Sequence, residues 1–462
     1  MIEAETIPRI EGFQGTLFDR SHPGYDEARR VYNGMFDRRP LLVARCSSAD
    51  DVIAALAYAR RERLPVSVYG GGHAVTGLAV CDDGLCVDLR GMKRITVDPS
   101  AQTCRAEAGL TWGEFDQATA AHGLAVTGGR ATSTGISGLA LGSGSGWLER
   151  KMGFTCDNLI KVELVTADGR NVVASEIENP DLFWGVRGGG GNFGVVTAFH
   201  FRLMQLPARF LGGALVYPVE MAAEVIRNFR DVFPGAPDEV GGAISLTSTP
   251  DAPIFPSSVR GRAAVLVHLL YAGEYEAGEL ATAAIRAFGP PAADLVGPTS
   301  YVQFQATTPL FPGSRNYWTA DFYDDLPDEA VDILAAAARD PISPHTNIFI
   351  APGGGYASRI PEDANAFGER RALFNIHFLA SWQDASFDAE GTRRIKAVST
   401  AMKPWSTGRV YLNYIGNEGQ ARIDNAFGPT KMARLRELKT KWDPENFFRN
   451  NQNISPTASG EA

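Results

Sequence analysis

Residues 69–77 read YGGGHAVTG, directly after the β-rich apolar run LPVSV. Glycine loses more backbone freedom on folding than any other residue, so three in a row indicate unusual dihedral angles or a close backbone approach. A tight turn followed by a surface histidine is one interpretation. In the other, the backbone N–H groups of Gly70–Gly72 face a phosphate and His73 lies beside the bound ligand. These nine residues alone favour the turn.

Two more glycine clusters follow, GISGLALGSGSGW at Gly135–Trp147 and WGVRGGGGNFGVV at Trp184–Val196. Apolar residues interleave the first cluster, so we expect it to be buried, and buried backbone N–H groups need partners that an anionic ligand would supply. Neither cluster contains GxGxxG within a βαβ unit or GxxxxGK[ST], so a nicotinamide Rossmann site and a P-loop are poor matches. Three clusters in one domain predict an extended ligand with several phosphates.

Composition limits the remaining classes. A chain of 462 residues is expected to form two or three domains, and its net charge of −9 argues against nucleic acid or an anionic membrane as the main partner. No apolar run reaches the ~18 residues of a membrane span, and the first residues, MIEAETIPRIEGF, do not resemble a secretory signal. We therefore expect a cytoplasmic protein.

The five cysteines lack CxxC spacing, and the seven histidines include no HExxH motif. Neither a disulfide framework nor a metal site is predicted. Up to about residue 200, strand-like and helical runs are mixed, with a helix at DVIAALAYARRER, another after the N-cap Thr111, and a hairpin around Asp168-Gly169. From about 206 to 410, helical runs alternate with strand-like runs, which is typical of helices packed on a sheet.

Five motifs then occur in a fixed order: YGGGHAVTG, GISGLALGSGSGWLERKMGFTCDNL, NPDLFWGVRGGGGNFGVVTAF, YLNY and WDPENFFRNNQNISP. In this order the chain resembles the berberine bridge enzyme-like oxidases of the vanillyl-alcohol oxidase superfamily, over nearly its whole length. The resemblance implies an α+β fold with FAD as cofactor. A bipartite PCMH-type FAD-binding domain would comprise residues 1–205 and 416–462. A substrate domain, an antiparallel sheet backed by helices, would comprise residues 206–415.

The resemblance also implies that His73 is bonded covalently to the flavin 8α-methyl group. Many relatives have a second link from a cysteine, where this chain has Ala131, so a single link is expected. Thr134 replaces a valine or leucine that lies near the oxygen-reactive face of the flavin, and its hydroxyl needs a partner. Ser145 stands where plant relatives have a tyrosine. The expected cofactor contacts are Gly70, Gly71, Gly72, His73, Ala74, Thr134, Gly135, Gly138, Gly142, Gly194, Val196, Asn413, Asn451 and Asn453.

The candidate base lies in RVYLNYIGNE. If VYLNY is a strand, Tyr411 and Asn413 face one way, and Leu412 and Tyr414 the other. The family implies that Tyr414 is the base, through either a lowered pKa or proton transfer in concert with hydride departure. For Tyr411, core packing is an equal alternative. Tyr411 and Thr134 complete the catalytic candidates. The residues that could line the substrate cavity, or simply pack in the second domain, are Tyr317, Trp318 and Trp382.

The leading hypothesis is an FAD-dependent oxidase. It would transfer hydride from an alcohol-bearing sugar or secondary metabolite to flavin N5 and use O2 as electron acceptor. A dehydrogenase of the same fold with another acceptor, a tailoring oxidase for a polyketide-like substrate, and a catalytically silent flavin-binding protein are the alternatives. The partners expected are a small-molecule substrate and O2, and the sequence leaves the oligomeric state open.

Overall fold

The computed structural model describes residues 9–308 and 311–457. Its first sheet has the strand order β1-β2-β4-β3, with β4 parallel to both β2 and β3. The predicted helix at DVIAALAYARRER is present and begins two residues early, because the Ser48 side chain caps it by accepting from the Asp51 N–H. The elements are β1 (Thr16–Asp19), α1 (Tyr25–Ala28), β2 (Leu42–Arg45), α2 (Ala49–Arg61), β3 (Val66–Tyr69) and β4 (Leu85–Asp88).

The second sheet is antiparallel, in the order β5-β6-β10-β8-β9. The predicted hairpin is confirmed by the pairing of Val165 with Asn171, and the predicted N-cap by a reciprocal capping box between Thr111 and Glu114. The elements are β5 (Ile95–Asp98), β6 (Thr103–Glu107), α3 (Trp112–Ala120), β7 (Leu124–Ala125), α4 (Ile136–Leu141), α5 (Glu149–Met152), β8 (Leu159–Val165), β9 (Asn171–Ser175), α6 (Pro180–Val186), β10 (Val195–Arg202) and β11 (Met204–Gln205).

The third sheet is also antiparallel and follows the path β15-β12-β14-β13-β18-β19-β17-β20, with β16 paired to β12. The elements are β12 (Phe210–Pro218), α7 (Ala222–Val232), β13 (Val240–Ser248), β14 (Ala263–Tyr271), α8 (Tyr275–Arg286), β15 (Ala293–Asp294), β16 (Gly297–Thr299), α9 (Tyr301–Gln305), β17 (Arg315–Tyr323), α10 (Asp328–Arg339), β18 (Asn347–Pro352), β19 (Phe374–Trp382), α11 (Asp388–Met402) and β20 (Ser406–Val410).

The two faces of the third sheet have different neighbours. Ile244 and Ile376 share a buried core with Phe229 of α7, Leu334 of α10 and Ile395 of α11. Because successive side chains of a strand point to opposite faces, the intervening residues are directed away from these helices. The predicted fold class, α+β with an antiparallel sheet backed by helices, is therefore confirmed.

The last helix, α12 (Gln420–Trp442), bends at Gly428, whose φ is +72° and which precedes Pro429. Beyond the bend, Leu435 shares one core with Leu42 and Phe199, although the same core also includes Phe322. This shared core fits a C-terminal segment that completes the first domain, while the boundaries at 205/206 and 415/416 stay predictions. No helix within residues 9–308 and 311–457 combines the length and apolarity needed to cross a membrane.

Candidate functional site

A cavity of about 850 Å³ is lined by all three glycine-rich segments and by one face of the third sheet. Ligand pockets commonly have volumes of roughly 300–1,000 Å³, so this cavity is large enough for an extended ligand. Tyr411 and Asn453 are not among the lining residues. The sequence-predicted residues that line it are Gly70, Gly71, Gly72, His73, Ala74, Thr134, Gly135, Gly138, Gly142, Gly194, Val196, Asn413, Tyr414 and Asn451.

Two of the glycine segments touch each other backbone to backbone. A Cβ atom added at Gly71 would lie 2.2 Å from the Gly135 nitrogen, and one added at Gly135 would lie 2.4 Å from the Gly71 nitrogen. Gly72 has a φ of +69°, in the left-handed region that favours glycine. Glycine is thus required at Gly71 and Gly135 by the contact between the loops, and at Gly72 by its φ. Both loops line the cavity.

The lining suits a ligand with a pyrophosphate group. Among the described lining residues, Asp251 is the single carboxylate, so little negative charge opposes an anion. Asn451 donates to the carbonyls of Gly191 and Phe448, while its own buried Oδ1 has no partner among the described residues. The glycine-rich backbone, the large volume and this unpaired oxygen fit FAD.

His73 stands at the cavity wall at the end of the first glycine segment. Its Nε2 lies 2.7 Å from the Ser133 hydroxyl, and its Nδ1 lies 3.4 Å from the Thr134 hydroxyl. The Tyr32 ring stacks on the imidazole with centroids 4.4 Å apart. Burial lowers the pKa of His73 to about 4, so the ring is neutral at pH 7. His73 Nδ1 is therefore the partner of the Thr134 hydroxyl, which the sequence alone did not identify.

Ala131, at the position where the resemblance implies a cysteine in many relatives, lines the same cavity. Cys156 is fully buried, does not line the cavity, and lies 3.7 Å from the Asn365 side-chain nitrogen. A thioether to a ligand in this cavity is therefore not available from either residue. Over residues 9–308 and 311–457, no group of three or more His, Cys, Asp or Glu side chains is placed to hold a metal ion.

The strand considered for VYLNY does not extend beyond its first residue. Strand β20 ends at Val410, and residues 412–414 form one turn of 3₁₀-helix, with the Tyr414 N–H donating to the Tyr411 carbonyl over 3.0 Å. Tyr411 and Tyr414 are therefore stacked, with ring centroids 5.5 Å apart, instead of facing opposite ways. The Asn413 side chain binds the Leu139 carbonyl, which ties the turn to α4.

Tyr411 is completely buried beside the cavity. Its phenol oxygen accepts a hydrogen bond of 2.6 Å from the Ser145 N–H and a longer one of 3.4 Å from the Asn413 side chain. Burial raises the pKa of Tyr411, although these donors partly offset the effect. Ser145, which stands where the resemblance implies a tyrosine in plant relatives, thus holds Tyr411 through its backbone N–H.

Tyr414 is partly exposed to the cavity. It stacks on the buried His377 at 4.1 Å and lies 5.7 Å from the Trp318 ring. Burial raises the pKa of Tyr414, and the positive charge of Arg130 partly opposes this rise. This direction is opposite to a lowered pKa, the first of the two routes expected for the base, and favours the second, proton transfer in concert with hydride departure.

Arg130 is a lining residue that the sequence analysis missed. Its guanidinium donates to the Ser145 hydroxyl over 2.8 Å and to the Gly146 carbonyl over 3.1 Å, and lies 3.5 Å from the Glu149 carboxylate. The side chain is 7% exposed. A charged residue inside the otherwise uncharged run TGGRATSTG was the signal available for it.

On the third sheet, Trp318 lines the cavity, but Tyr317 and Trp382 do not. Tyr317 points the other way and has the Lys396 ammonium over its ring, while the Trp382 indole donates to Asp388 of α11. The other residues of this cavity face could have been predicted from polar residues within apolar strands, such as the histidine in VLVHLLY. The lining residues of this face that the sequence analysis missed include Ser245, Thr247, His268, Asn347 and Ser381.

Two segments match known protein families: residues 40–175 match the FAD binding domain, and residues 410–455 match the family described as berberine and berberine like. An FAD-linked oxidoreductase of Dictyostelium discoideum is 30% identical, with 96% of each chain covered. (R)-6-hydroxynicotine oxidase of Paenarthrobacter nicotinovorans is 29% identical over 96% of this chain and 98% of its own.

Solved structures give the same result. The crystal structure of 6-hydroxy-D-nicotine oxidase from Arthrobacter nicotinovorans superimposes with a TM-score of 0.86 at 28% identity, covering 96% of this chain and 98% of that one. The grass pollen allergen Phl p 4, described as having glucose dehydrogenase activity, shares the fold with a TM-score of 0.84 at 23% identity, covering 96% and 97%.

Fold and cavity together define an FAD-linked oxidoreductase. Within that class, the chain belongs to the berberine bridge enzyme-like family of FAD-linked oxidoreductases.

Proposed function

We propose that this FAD-linked oxidoreductase is an oxidase that holds FAD through a single covalent bond at His73. It would take hydride from an alcohol-bearing small molecule, a sugar or a secondary metabolite, and use O2 as electron acceptor. The observation that carries the proposal is His73 itself. It is a neutral imidazole on the cavity wall at the end of a glycine loop, in a cavity where Ala131 replaces the second linking residue.

The surroundings of His73 suit bond formation through a ring nitrogen. A neutral imidazole keeps one nitrogen lone pair free, whereas an imidazolium has none. The Ser133 hydroxyl at Nε2, the Thr134 hydroxyl at Nδ1 and the stacked Tyr32 ring hold the imidazole from three sides. The two hydroxyls and the stacked ring thereby fix the orientation of the imidazole.

Bound FAD supplies the hydride acceptor. Tyr414 takes the hydroxyl proton of the substrate, because it is the tyrosine of the turn that faces the cavity. Proton transfer in concert with hydride departure needs the ionised phenol as acceptor, and burial makes that form rare while Arg130 favours it. The rate of hydride removal therefore rises with pH below the pKa of Tyr414. Tyr411, held by the Ser145 N–H, supports the Tyr414 ring from behind.

Thr134 is proposed to act at the step with O2. It lines the cavity next to His73, and its side chain is the same size as the valine found in relatives. The choice of electron acceptor needs a direct test, because an oxidase and a glucose dehydrogenase both occur among the structural neighbours. The relative of higher identity, 6-hydroxynicotine oxidase, supports the oxidase.

The test has two parts. The purified protein is denatured in acid, and the flavin is followed on a denaturing gel. One flavin per chain should stay with the wild-type protein, and His73→Ala should release all of it. A cysteinyl-flavin peptide would show that the single-link proposal is wrong. Oxygen consumption with substrates that bleach the flavin then distinguishes an oxidase from a dehydrogenase, whose bleached flavin is reoxidised by an artificial acceptor and not by O2.

A further inference from the structure

Three neighbouring strands of the third sheet place a row of polar side chains on the cavity. Asn347 of β18 donates through Nδ2 to the Ser245 hydroxyl of β13 over 3.4 Å. The same hydroxyl lies 3.0 Å from Nε2 of His268, on β14. We refer to Asn347, Ser245 and His268 as the polar row, and all three line the cavity.

The hydrogen bonds of the polar row determine what its ends offer to a ligand. Since the Ser245 oxygen accepts from Asn347, its own proton is free to be donated to His268 Nε2. Burial lowers the pKa of His268 to about 4, so the ring is neutral. We assign its single proton to Nδ1, because Nε2 then accepts the Ser245 proton. At the other end, the buried Oδ1 of Asn347 has no partner among the described residues. The row thus ends in one donor and one unpaired acceptor.

An unpaired buried oxygen costs free energy unless a ligand supplies a donor. Two hydrogen bonds, one on each side of Ser245, separate the two ends of the row. A single amide or hydroxyl group is too small to reach both ends. A ligand that satisfies the row must therefore carry two polar groups at separate positions.

The part of the cavity walled by the third sheet offers little to a charged ligand, unlike the glycine-rich part that suits a pyrophosphate. Arg130 and Asp251 are the charged lining residues in the described part of the chain. Arg130 already faces the Glu149 carboxylate and two oxygen acceptors, and Asp251 is exposed on the loop that follows β13. Burying a charge without a partner is costly, so ionic molecules are disfavoured. The remaining wall includes the flat rings of Trp318, Phe311 and Tyr414.

We propose that the polar row selects the substrate, and that the substrate is an uncharged, flat molecule with two separated polar groups. Asn347 accepts a hydrogen bond from one of these groups, and His268 donates to the other. This inference rests on the proposed function only in assuming that the substrate enters this cavity. Its test measures binding and needs no turnover.

The experiment uses the flavin-loaded protein and three probes of equal size: 4-hydroxybenzamide, 4-hydroxybenzoate and 4-hydroxybenzylamine. At pH 7 they are neutral, anionic and cationic, and all carry a hydroxyl across the ring. Isothermal titration calorimetry gives each Kd. The neutral amide should bind at least roughly tenfold more tightly than either charged probe, because only it enters without burying an unpaired charge.

Variants of the polar row sharpen the result. Asn347→Leu keeps the side-chain size and removes the acceptor, so it should weaken amide binding by up to about tenfold, the worth of one neutral hydrogen bond. Thr247→Val is the matched control. Thr247 lines the same face, but its hydroxyl is already satisfied by the Thr346 carbonyl at 2.8 Å, so amide binding should stay unchanged. Asn347→Asp should reverse the preference and favour the cationic probe.

Equal affinity for the three probes would overturn the proposal. So would equal losses in Asn347→Leu and Thr247→Val, or no probe binding to folded, flavin-loaded protein. If Asn347→Leu does not fold, the charge preference of Asn347→Asp decides the question. A protein that binds the amide selectively but consumes no O2 with any bleaching substrate would contradict the proposed oxidase and leave the polar row supported.

Discussion

The two ends of the cavity are built in different ways. The FAD end is made of three continuous glycine-rich segments, in which backbone lies against backbone at Gly71 and Gly135. The substrate end is made of single side chains from five strands, among them Ser245, His268 and Asn347. A backbone requirement leaves a contiguous mark in the sequence, whereas a surface assembled by strand pairing scatters its residues along the chain.

The same difference predicts how each end tolerates change. At the FAD end, a methyl group added at Gly71 or Gly135 meets backbone atoms that cannot move aside. At the substrate end, the cavity face of the sheet is separated by the strands from the helix-packed core on its other face. Side chains there can be exchanged without repacking the core. The FAD end should therefore be rigid, and the substrate end adaptable.

Tyr414 lies where the two ends of the cavity meet, and its substitution should have the largest effect on the reaction. Tyr414→Phe removes the proton-accepting oxygen and keeps the ring that stacks on His377. Anaerobic flavin reduction should slow by roughly 10²–10⁴, the usual worth of general acid–base catalysis, with normal flavin content. Because the pKa of Tyr414 is raised, the wild-type rate should climb with pH, and the variant should lose this dependence.

Stopped-flow reduction across pH measures both effects. Tyr411→Phe is the matched control, since it keeps its ring but loses the oxygen bonded to the Ser145 N–H. It should cost less, and its rate should still rise with pH. If Tyr411→Phe loses the pH dependence and Tyr414→Phe keeps it, the two tyrosines exchange roles.

A second prediction concerns the rigidity of the FAD end. Gly71→Ala would place Cβ 2.2 Å from the Gly135 nitrogen, so we expect a loss of about 3 kcal/mol in the free energy of unfolding, at the upper end of the range for overpacking. Gly138→Ala is the control, because a Cβ there has no atom within 4 Å. Urea unfolding should be measured in the His73→Ala background, stripped of flavin so that cofactor binding does not contribute. Equal stability of the two variants would contradict the tight contact.

The sequence was most informative where residues close in the chain are also close in space. The helix cap at Thr111, the hairpin at Asp168 and the glycine loops all depend on local spacing. Of the fourteen cofactor contacts predicted, Asn453 alone does not line the cavity. The Asn453 side chain donates to Ser455 instead. The neighbouring Gln452 lines the cavity, so the prediction was one residue off in the extended tail.

The misses have a common physical cause. The run VYLNY alternates as a strand does, but residues 412–414 form a turn. In that turn the Asn413 side chain bonds to the Leu139 carbonyl, which is distant in sequence. No local sequence pattern predicts this contact. Likewise, Trp318 and Tyr317 are neighbours in sequence and face opposite sides of the sheet. Which of the two meets the cavity depends on strand register, and the register is a property of the whole sheet.

A third prediction concerns the buried histidines of the substrate end. Burial lowers the pKa of His268 to about 4 and that of His377 well below its usual 6.5. Between pH 6.5 and 4 the unfolded chain binds protons that the folded chain does not, so stability is present above pH 6.5 and falls as the pH drops. Between pH 7 and pH 5, His268 alone should account for a loss of about 2 kcal/mol.

Urea unfolding at pH 7, 6 and 5 measures this loss in the wild-type protein and in His268→Asn. Carboxylates also titrate in acid, but they do so in both proteins, so the difference between the two curves isolates the histidine. The variant should lose less stability on acidification. Parallel curves would show that the proton uptake of His268 is not linked to unfolding.

The smallest effect is expected at Thr134. This residue lies at the FAD end, and its substitution tests whether it tolerates change as residues of the substrate end should. Thr134→Val keeps the shape and removes a hydroxyl whose contact with His73 Nδ1, at 3.4 Å, is a long one. A weak neutral hydrogen bond is worth at most about 1.5 kcal/mol, so reoxidation of the reduced flavin by O2 should slow by less than about tenfold.

Thr134→Leu adds volume instead, and should slow reoxidation further because the larger side chain narrows the cavity beside His73. Both variants should keep one covalent flavin per chain, since the linking nitrogen belongs to His73. The measurement is the rate at which anaerobically reduced protein regains its visible absorbance after mixing with O2. If the rate decreases from threonine to valine to leucine, both the hydroxyl and the size of residue 134 control access. Equal rates in all three proteins would mean that O2 reaches the flavin by another path, and that this position tolerates change as freely as the substrate end.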